Sequence, residues 1–253
     1  MRENYSLGGI APNPSIAHNR ATRPRPYGCA ANRVEIFLQQ LINGLTLGSV
    51  YAVVALGYTM VYGIIQLINF AHGEVVMIGA MVAFSVITAL AGANTGLPPL
   101  AILGAGVLVA VPVCVAVGYS LERVAYRPLR KAPRLAPLIT AIGLSIILQN
   151  LAMIIWSRNP IPFPQIIQVV SYPVTGAAGG ATITNVQIAI MVTSVLMMGG
   201  LLTLVYRTKL GIAMRATAQH QQIAGLMGIN VNTIISVTFV IGAALAAVAG
   251  VMV

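Results

Sequence analysis

Apolar positions in this chain fall in long unbroken runs. They do not form the i, i+3, i+4 stripes of a surface helix or the alternation of a half-buried strand. From Ile36 to Gly92 the run is interrupted by few polar residues, among them Asn43, Gln66, Asn69, His72 and Glu74, and by small residues. A span needs ~20 apolar residues, so this stretch holds two comfortable spans or three tight ones. Asn94–Pro99 reads as a turn. Leu100–Leu121 is a further span, with Pro112 expected to kink it. Leu135–Trp156 follows, Trp156 serving as an interfacial anchor, and then Val186–Tyr206 and Thr233–Val253. The stretches 122–134, 157–185 and 207–232 read as connections. The fold class is all-α, a polytopic transmembrane helical bundle of six to seven spans. Continuous runs argue against a transmembrane barrel.

Composition agrees with this reading. The chain is 58% hydrophobic and 7% charged, against roughly 25% charged in soluble domains. A net charge of +10 invites a nucleic-acid partner, but its distribution argues otherwise. Of fourteen Lys and Arg, five lie in Met1–Arg33, five in Arg123–Arg134, three in Arg207–Arg215, and Arg158 stands alone. Basic clusters in short loops beside apolar runs are the positive-inside signature, with the lipid bilayer as partner and no nucleic acid. The 122–134 and 207–232 loops are therefore cytoplasmic, and 157–185 faces outward. Residues 1–33, with Pro12, Pro14, Pro24 and Pro26, read as a polar, disordered tail. Its arginines favour the cytoplasm, which requires three spans in 36–92; two spans would place it outside. The last span ends in AAVAGVMV without a polar flank or helix stop, so the chain is expected to be truncated at its C-terminus.

Candidate chemistry is sparse. Glu74 is one of four carboxylates, and there is no aspartate. A carboxylate inside membrane-grade sequence costs ~3 kcal/mol at a helix centre, so it marks a function or a membrane edge. His72 and Glu74 do not share a helix face. They have neither the third ligand of a zinc site nor the P-C-x-x-C partner of a deaminase. Two readings stay open: a polar turn in which Asn69 or Glu74 caps a helix beginning near Val75, or a polar patch on a substrate path. Cys29 and Cys114 imply neither disulfide nor metal. No phosphate-binding G-x-x-x-x-G-K-[ST] loop occurs, so any ATPase is a separate subunit. No catalytic residue, metal or cofactor is expected. Gly44–Gly48 and Gly242–Ala246–Gly250 are small-xxx-small patterns that suit close helix packing. Residues 212–226 read as a short amphipathic helix, apolar at Met214, Ile223 and Leu226 and stopped by Gly228. It is either a docking element or a helix lying in the headgroups.

The strings Leu38–Glu74 (ending INFAHGE), Glu122–Arg130 (ERVAYRPLR), Thr140–Asn150 (TAIGLSIILQN) and Leu226–Met252 resemble one family. It is the LivH-type permease subunit of branched-chain amino acid ABC importers, and the resemblance covers nearly everything from Ile36 to Val253. It implies an ATP-driven importer of the bacterial inner membrane with Leu, Ile or Val as cargo, although similar permeases serve urea or other amino acids. Implied partners are a second, LivM-type permease subunit, two cytosolic ABC ATPase subunits and a periplasmic substrate-binding protein. The connector becomes the coupling helix that docks on an ATPase, with Gly211, Arg215, Ala216, Ala224, Gly225 and Gly228 as its candidate residues. Polar residues on the spans, Asn43, Thr46, Asn69, His72, Glu74, Gln149 and Asn150, are candidates for the substrate path. The tail departs from the family, as does a coupling helix without a carboxylate. Members also continue beyond AAVAGVM through further spans. An ion-coupled carrier, which needs intramembrane acids, is the alternative within transport.

Overall fold

The computed structural model describes residues 29–253 apart from 67, 94, 95, 97, 130, 131, 134, 160, 162, 165, 166 and 175–179, and it leaves out the side chains of 29–32. Among the described residues six helices are long and apolar enough to cross a membrane. The first, α1, runs from Cys29 to Ile65. The tail expected over 1–33 lies mostly outside the described residues, but its last five belong to this helix.

The second spanning helix, α2 (His72–Gly92), follows after a break at 66–71. The stretch 36–92 therefore holds two spans, and the expectation of three is corrected. The polar residues inside α1 do not end it because they bond along the helix. Gln39 Nε2 donates to Asn43 Oδ1 at 3.2 Å, and Thr46 Oγ1 donates to the Ile42 carbonyl at 2.9 Å. With no proline between Ile36 and Ile65, the helix continues. With two spans, the start of α1 lies at the end opposite the basic loops.

The third span, α3 (Pro99–Ser120), continues through Pro112. Leu121–Tyr126, expected as a loop, is instead a π-helical turn that carries α3 on into the short α4 (Arg127–Leu129). After it come α5 (Leu135–Ile155), a two-stranded antiparallel hairpin of β1 (Ser171–Pro173) and β2 (Thr182–Thr184), and α6 (Asn185–Arg207). The connector forms α7 (Lys209–Gln219) and α8 (Gln221–Leu226), and α9 (Val231–Met252) closes the described chain.

The centre of the bundle is α9, packed on α1, α2 and α3. Close approach explains its small residues. A Cβ on Gly250 would run into the Val76 carbonyl and the Ala80 amide of α2, and Ala246 is fully buried. Gly44 and Gly48, the other small-xxx-small pair, face open space. In contrast, α5 turns Ile139, Ile146, Ile147 and Ile154 outward, the surface of a helix against lipid.

Contacts sort the connections into two ends. At one, Gln39 Oε1 accepts from the Thr182 amide at 2.8 Å, Gln187 Nε2 donates to Asn43 Oδ1 at 3.1 Å and Trp156 Nε1 donates to Ser85 Oγ at 2.7 Å. At the other, the 66–71 break meets the π turn and the connector. That second end carries Arg123, Arg127, Arg207, Lys209 and Arg215 and is the cytoplasmic one by the positive-inside rule.

Candidate functional site

The two ends differ in how tightly their parts are tied, and the inner end is the more elaborate. There α1 stops at Gln66, whose φ of 56° is left-handed for a residue with a Cβ. Its amide reaches the Tyr62 carbonyl at 2.8 Å. The last carbonyls of a helix lack partners within it. The connector supplies one, because Gln221 Nε2 donates to the Ile64 carbonyl at 3.2 Å.

The break itself is held by α3. The wider π turn brings Glu122 and Tyr126 inward together, and both are buried. Tyr126 donates its hydroxyl to Asn69 Oδ1 at 2.8 Å, and its ring lies 5.3 Å from that of Phe239 on α9. Glu122 is fully buried, and its Oε2 accepts from Ser236 Oγ at 2.7 Å. Asn69 thus does not cap α2. The helix begins at His72, with Ala71 at the N-cap position and no side-chain cap. Glu74 sits in the first turn, where an acid suits the helix dipole, and accepts from Ser145 Oγ on α5 at 3.0 Å.

His72 is buried against α1. Its ring is edge-on to Tyr58 with centroids 6.1 Å apart. Its Nε2 is buried without a hydrogen-bond partner among the described residues. Gly57 makes room for it: a Cβ there would lie 3.0 Å from both Cε1 and Nε2.

The connector plugs into this hub. Thr208 caps α7 by accepting from the Gly211 amide at 3.1 Å. A side chain at Gly211 would collide with the carbonyls of Leu204 and Val205, so the α6–α7 corner requires glycine. Met214 is buried in one apolar cluster with Val61 and Ile64 of α1, Tyr126, and Phe239 of α9. The single helix expected over 212–226 is two, because His220 is extended (φ −148°, ψ 101°) and ends α7. That corner turns Gln221 toward the end of α1. Gly228, at φ 85°, stops α8 as expected, in the left-handed conformation glycine adopts without steric cost.

The candidate coupling residues divide by exposure. Ala224 and Gly211 are buried, and Ala216 is half-buried. Arg215 stacks its guanidinium 5.2 Å over the Tyr206 ring, and Gly225 faces open space. The tip is apolar and uncovered, with Leu226 88% and Met227 79% exposed.

The path candidates do not meet in one place. Asn43 is at the outer end between α1 and α6, and Thr46 bonds within its helix. Asn69, His72 and Glu74 cluster at the inner end. Gln149 and Asn150 are exposed on α5, Asn150 donating to the Ile146 carbonyl at 2.8 Å. Glu122, Tyr126 and Ser236 were not singled out by sequence, and Met214 only as an apolar position of the connector helix. One signal was available for two of them: Leu121, Ala125 and Tyr126 keep helical spacing across a segment that the arginines make look like a loop.

Over residues 40–253 the chain matches the family described as the permease component of branched-chain amino acid transport systems. It is 50% identical over 216 residues to the high-affinity branched-chain amino acid transport system permease protein BraD of Pseudomonas aeruginosa, covering 85% of this chain and 70% of that one. It is 46% identical over 218 residues to the permease protein LivH of Escherichia coli K12, and 45% identical to LivH of Salmonella typhimurium, with the same coverage. No solved structure matches it. By a family match over most of its length, and by six spanning helices, the chain belongs to the branched-chain amino acid transport permease family as a multi-pass membrane component.

Proposed function

We propose that this chain is a translocation subunit of an ATP-driven importer of Leu, Ile or Val in the bacterial cytoplasmic membrane. It pairs there with a second, LivM-type permease subunit, two cytosolic ATPase subunits and a periplasmic binding protein. The observation that carries the reading is the connector. Its helices α7 and α8 are wedged by Met214 and Gln221 against the inner end of α1, and they leave an apolar tip at Ile223, Leu226 and Met227 uncovered. A short cytoplasmic element with one face locked into the spans and the other bare is built to pass on a push from a docked partner. Such a push moves α1 and the 66–71 break together, because Tyr126 and Asn69 tie the break to α3.

The path runs along the uncovered face of α1. Gly44, Gly48 and Gly63 leave open space on that helix, and Tyr51, Thr59 and Tyr62 stand on its exposed side. The isoleucine-rich surface of α5 faces lipid instead. Asn43 stands at the outer mouth, while Asn69, His72 and Glu74 form part of the inner closure.

The test is co-purification and uptake. Expressed with LivG/LivF-type ATPases, a LivM-type permease and a binding protein, the chain forms a complex that imports labelled leucine. Uptake stops on ATP depletion and persists with an uncoupler. Uptake that survives ATP depletion but collapses with an uncoupler overturns the reading in favour of an ion-coupled carrier using Glu74 and the buried Glu122. Faster import of urea than of leucine overturns the cargo alone.

A further inference from the structure

A second cleft opens at the inner end, away from the connector tip. It has a volume of about 320 Å³ and lies between the end of α3 with its π turn and the start of α9. Arg123 and Arg127 line one wall, and Asn230 and Thr233 line the other. Deeper along the same walls come Tyr119 on α3 and Val237 and Val240 on α9. At 1.5 Å per residue, each wall runs roughly 10–12 Å from its polar rim to its apolar floor.

Charge in the cleft is one-sided. Arg123 is held in place: its Nη1 donates to the Tyr119 hydroxyl at 2.7 Å, with the guanidinium 5.9 Å from that ring. The rest of its donor fork is left for a ligand. Among the described residues no ion pair involves Arg123 or Arg127. Among the described residues the one acid nearby, Glu122, is fully buried beneath the cleft and accepts the Ser236 hydroxyl. Two guanidinium groups against one carboxylate leave a net positive cleft. The N-terminus of the 22-residue α9 adds its partial positive charge at the same rim.

We propose that this cleft binds the phosphate headgroup of an anionic phospholipid from the cytoplasmic leaflet. A free phosphate or an acidic protein side chain needs only the cationic rim. A lipid also uses the apolar continuation along Val237 and Val240, which lie deeper than the arginines. A cationic mouth that grades into an apolar groove along the membrane normal has the order of a headgroup followed by an acyl chain. Basic pockets between spanning helices on the cytoplasmic side are a recurring form of such sites. The inference rests on the orientation of the bundle and is independent of cargo and ATPase.

Native mass spectrometry tests it on the full chain released from nanodiscs holding equal amounts of phosphatidylglycerol and phosphatidylcholine. The wild type retains phosphatidylglycerol preferentially. Each arginine accounts for about a fivefold change, so Arg123→Gln with Arg127→Gln lowers retention about twenty-fivefold. Arg207→Gln with Lys209→Gln, at the same end but outside the cleft, leaves it unchanged. Val240→Trp fills the groove with both arginines in place and also lowers retention, which separates lipid loss from misfolding of the arginine variant. Equal retention of the two lipids by the wild type overturns the proposal, as does equal loss in both double variants. Displacement of the lipid by millimolar inorganic phosphate points to a free anion instead. Displacement on addition of the ATPase subunits points to an acidic protein side chain. Either result overturns the lipid as occupant.

Discussion

Tyr126 on the π turn donates its hydroxyl to the side-chain oxygen of Asn69 at 2.8 Å, across 57 residues of sequence and with both groups buried. This bond fixes the irregular segment between the first two spans to the third. Backbone outside a helix survives near membrane depth only where protein satisfies its polar groups. Tyr126→Phe leaves Asn69 Oδ1 without this donor and lowers stability by about 1 kcal/mol. A double-mutant cycle with Asn69→Ala, read by unfolding in detergent, should give a coupling of about 0.5–1 kcal/mol. Additive effects of the two changes refute the tie.

The Gly57–His72 contact yields a different signature. A methyl at Gly57 meets the imidazole at 3.0 Å and the Gly242 carbonyl at 3.2 Å. The ring is one obstacle and the backbone a second. Gly57→Ala is expected to destabilise by about 1–3 kcal/mol, as overpacking does. His72→Ala in the same chain should restore part of the loss, because the ring obstacle goes and the backbone one stays. No rescue at all counts against the contact.

Small residues in α9 and α1 look alike in sequence and behave differently in the bundle. Gly250→Ala drives a methyl into the backbone of α2 and should cost about 2–3 kcal/mol. Gly44→Ala and Gly48→Ala meet nothing within 4 Å. Within the isolated chain they should be neutral or stabilising by about 0.5–1 kcal/mol, the usual gain of Ala over Gly in a helix. Thermal unfolding of the three purified variants separates the two classes.

These contrasts show where sequence was legible. Helices α2, α5, α6 and α9 follow their apolar runs to within a few residues, because continuous hydrophobicity of span length has one structural outcome in a membrane. The number of spans in 36–92 did not follow. Asn43 and Thr46 resemble interruptions, yet they bond along their own helix and leave it intact. Glu122 among arginines reads as part of a solvated loop. Its full burial, with Ser236 from 114 residues away donating to it, appears only in the folded chain. The place of the connector was visible from its polarity. Its corner at His220 was not, since an extended residue between two helices carries no compositional mark. The path candidates were chosen by residue type alone, which cannot say that Asn43 and Asn69 lie at opposite ends of α1.

The buried carboxylate gives a prediction of its own. Ser236→Ala removes the hydroxyl that Glu122 Oε2 accepts at 2.7 Å. A hydrogen bond to a charged group contributes about 1.5–3 kcal/mol, and the variant should lose that much. Glu122→Gln keeps the shape and lowers the demand for a donor, so Ser236→Ala should cost less in that background. An equal cost in both backgrounds means the carboxylate does not depend on Ser236.

Neighbouring residues in α8 should separate docking from folding. Ala224 is buried, its amide donating to the His220 carbonyl and its carbonyl accepting from the Ile229 amide, while Gly225 faces open space beside the exposed Leu226. A bulky side chain at 224 has no room, so Ala224→Trp should lower the thermal stability of the permease by itself. Gly225→Trp and Leu226→Asp leave the packed side untouched and should change that stability little. If the tip docks an ATPase, both should cut co-purification with it, Leu226→Asp by about thirtyfold where the residue is a hot spot worth about 2 kcal/mol. Buried Met214 gives the mechanical counterpart. Met214→Ala keeps the tip and so keeps the complex, but it opens a cavity between α7 and α1 and should lose transport faster than assembly. Complex yield and leucine uptake measured on the same four variants distinguish a docking tip from a helix that only lies on the membrane. In the latter case, Gly225→Trp and Leu226→Asp leave complex yield at the wild-type level.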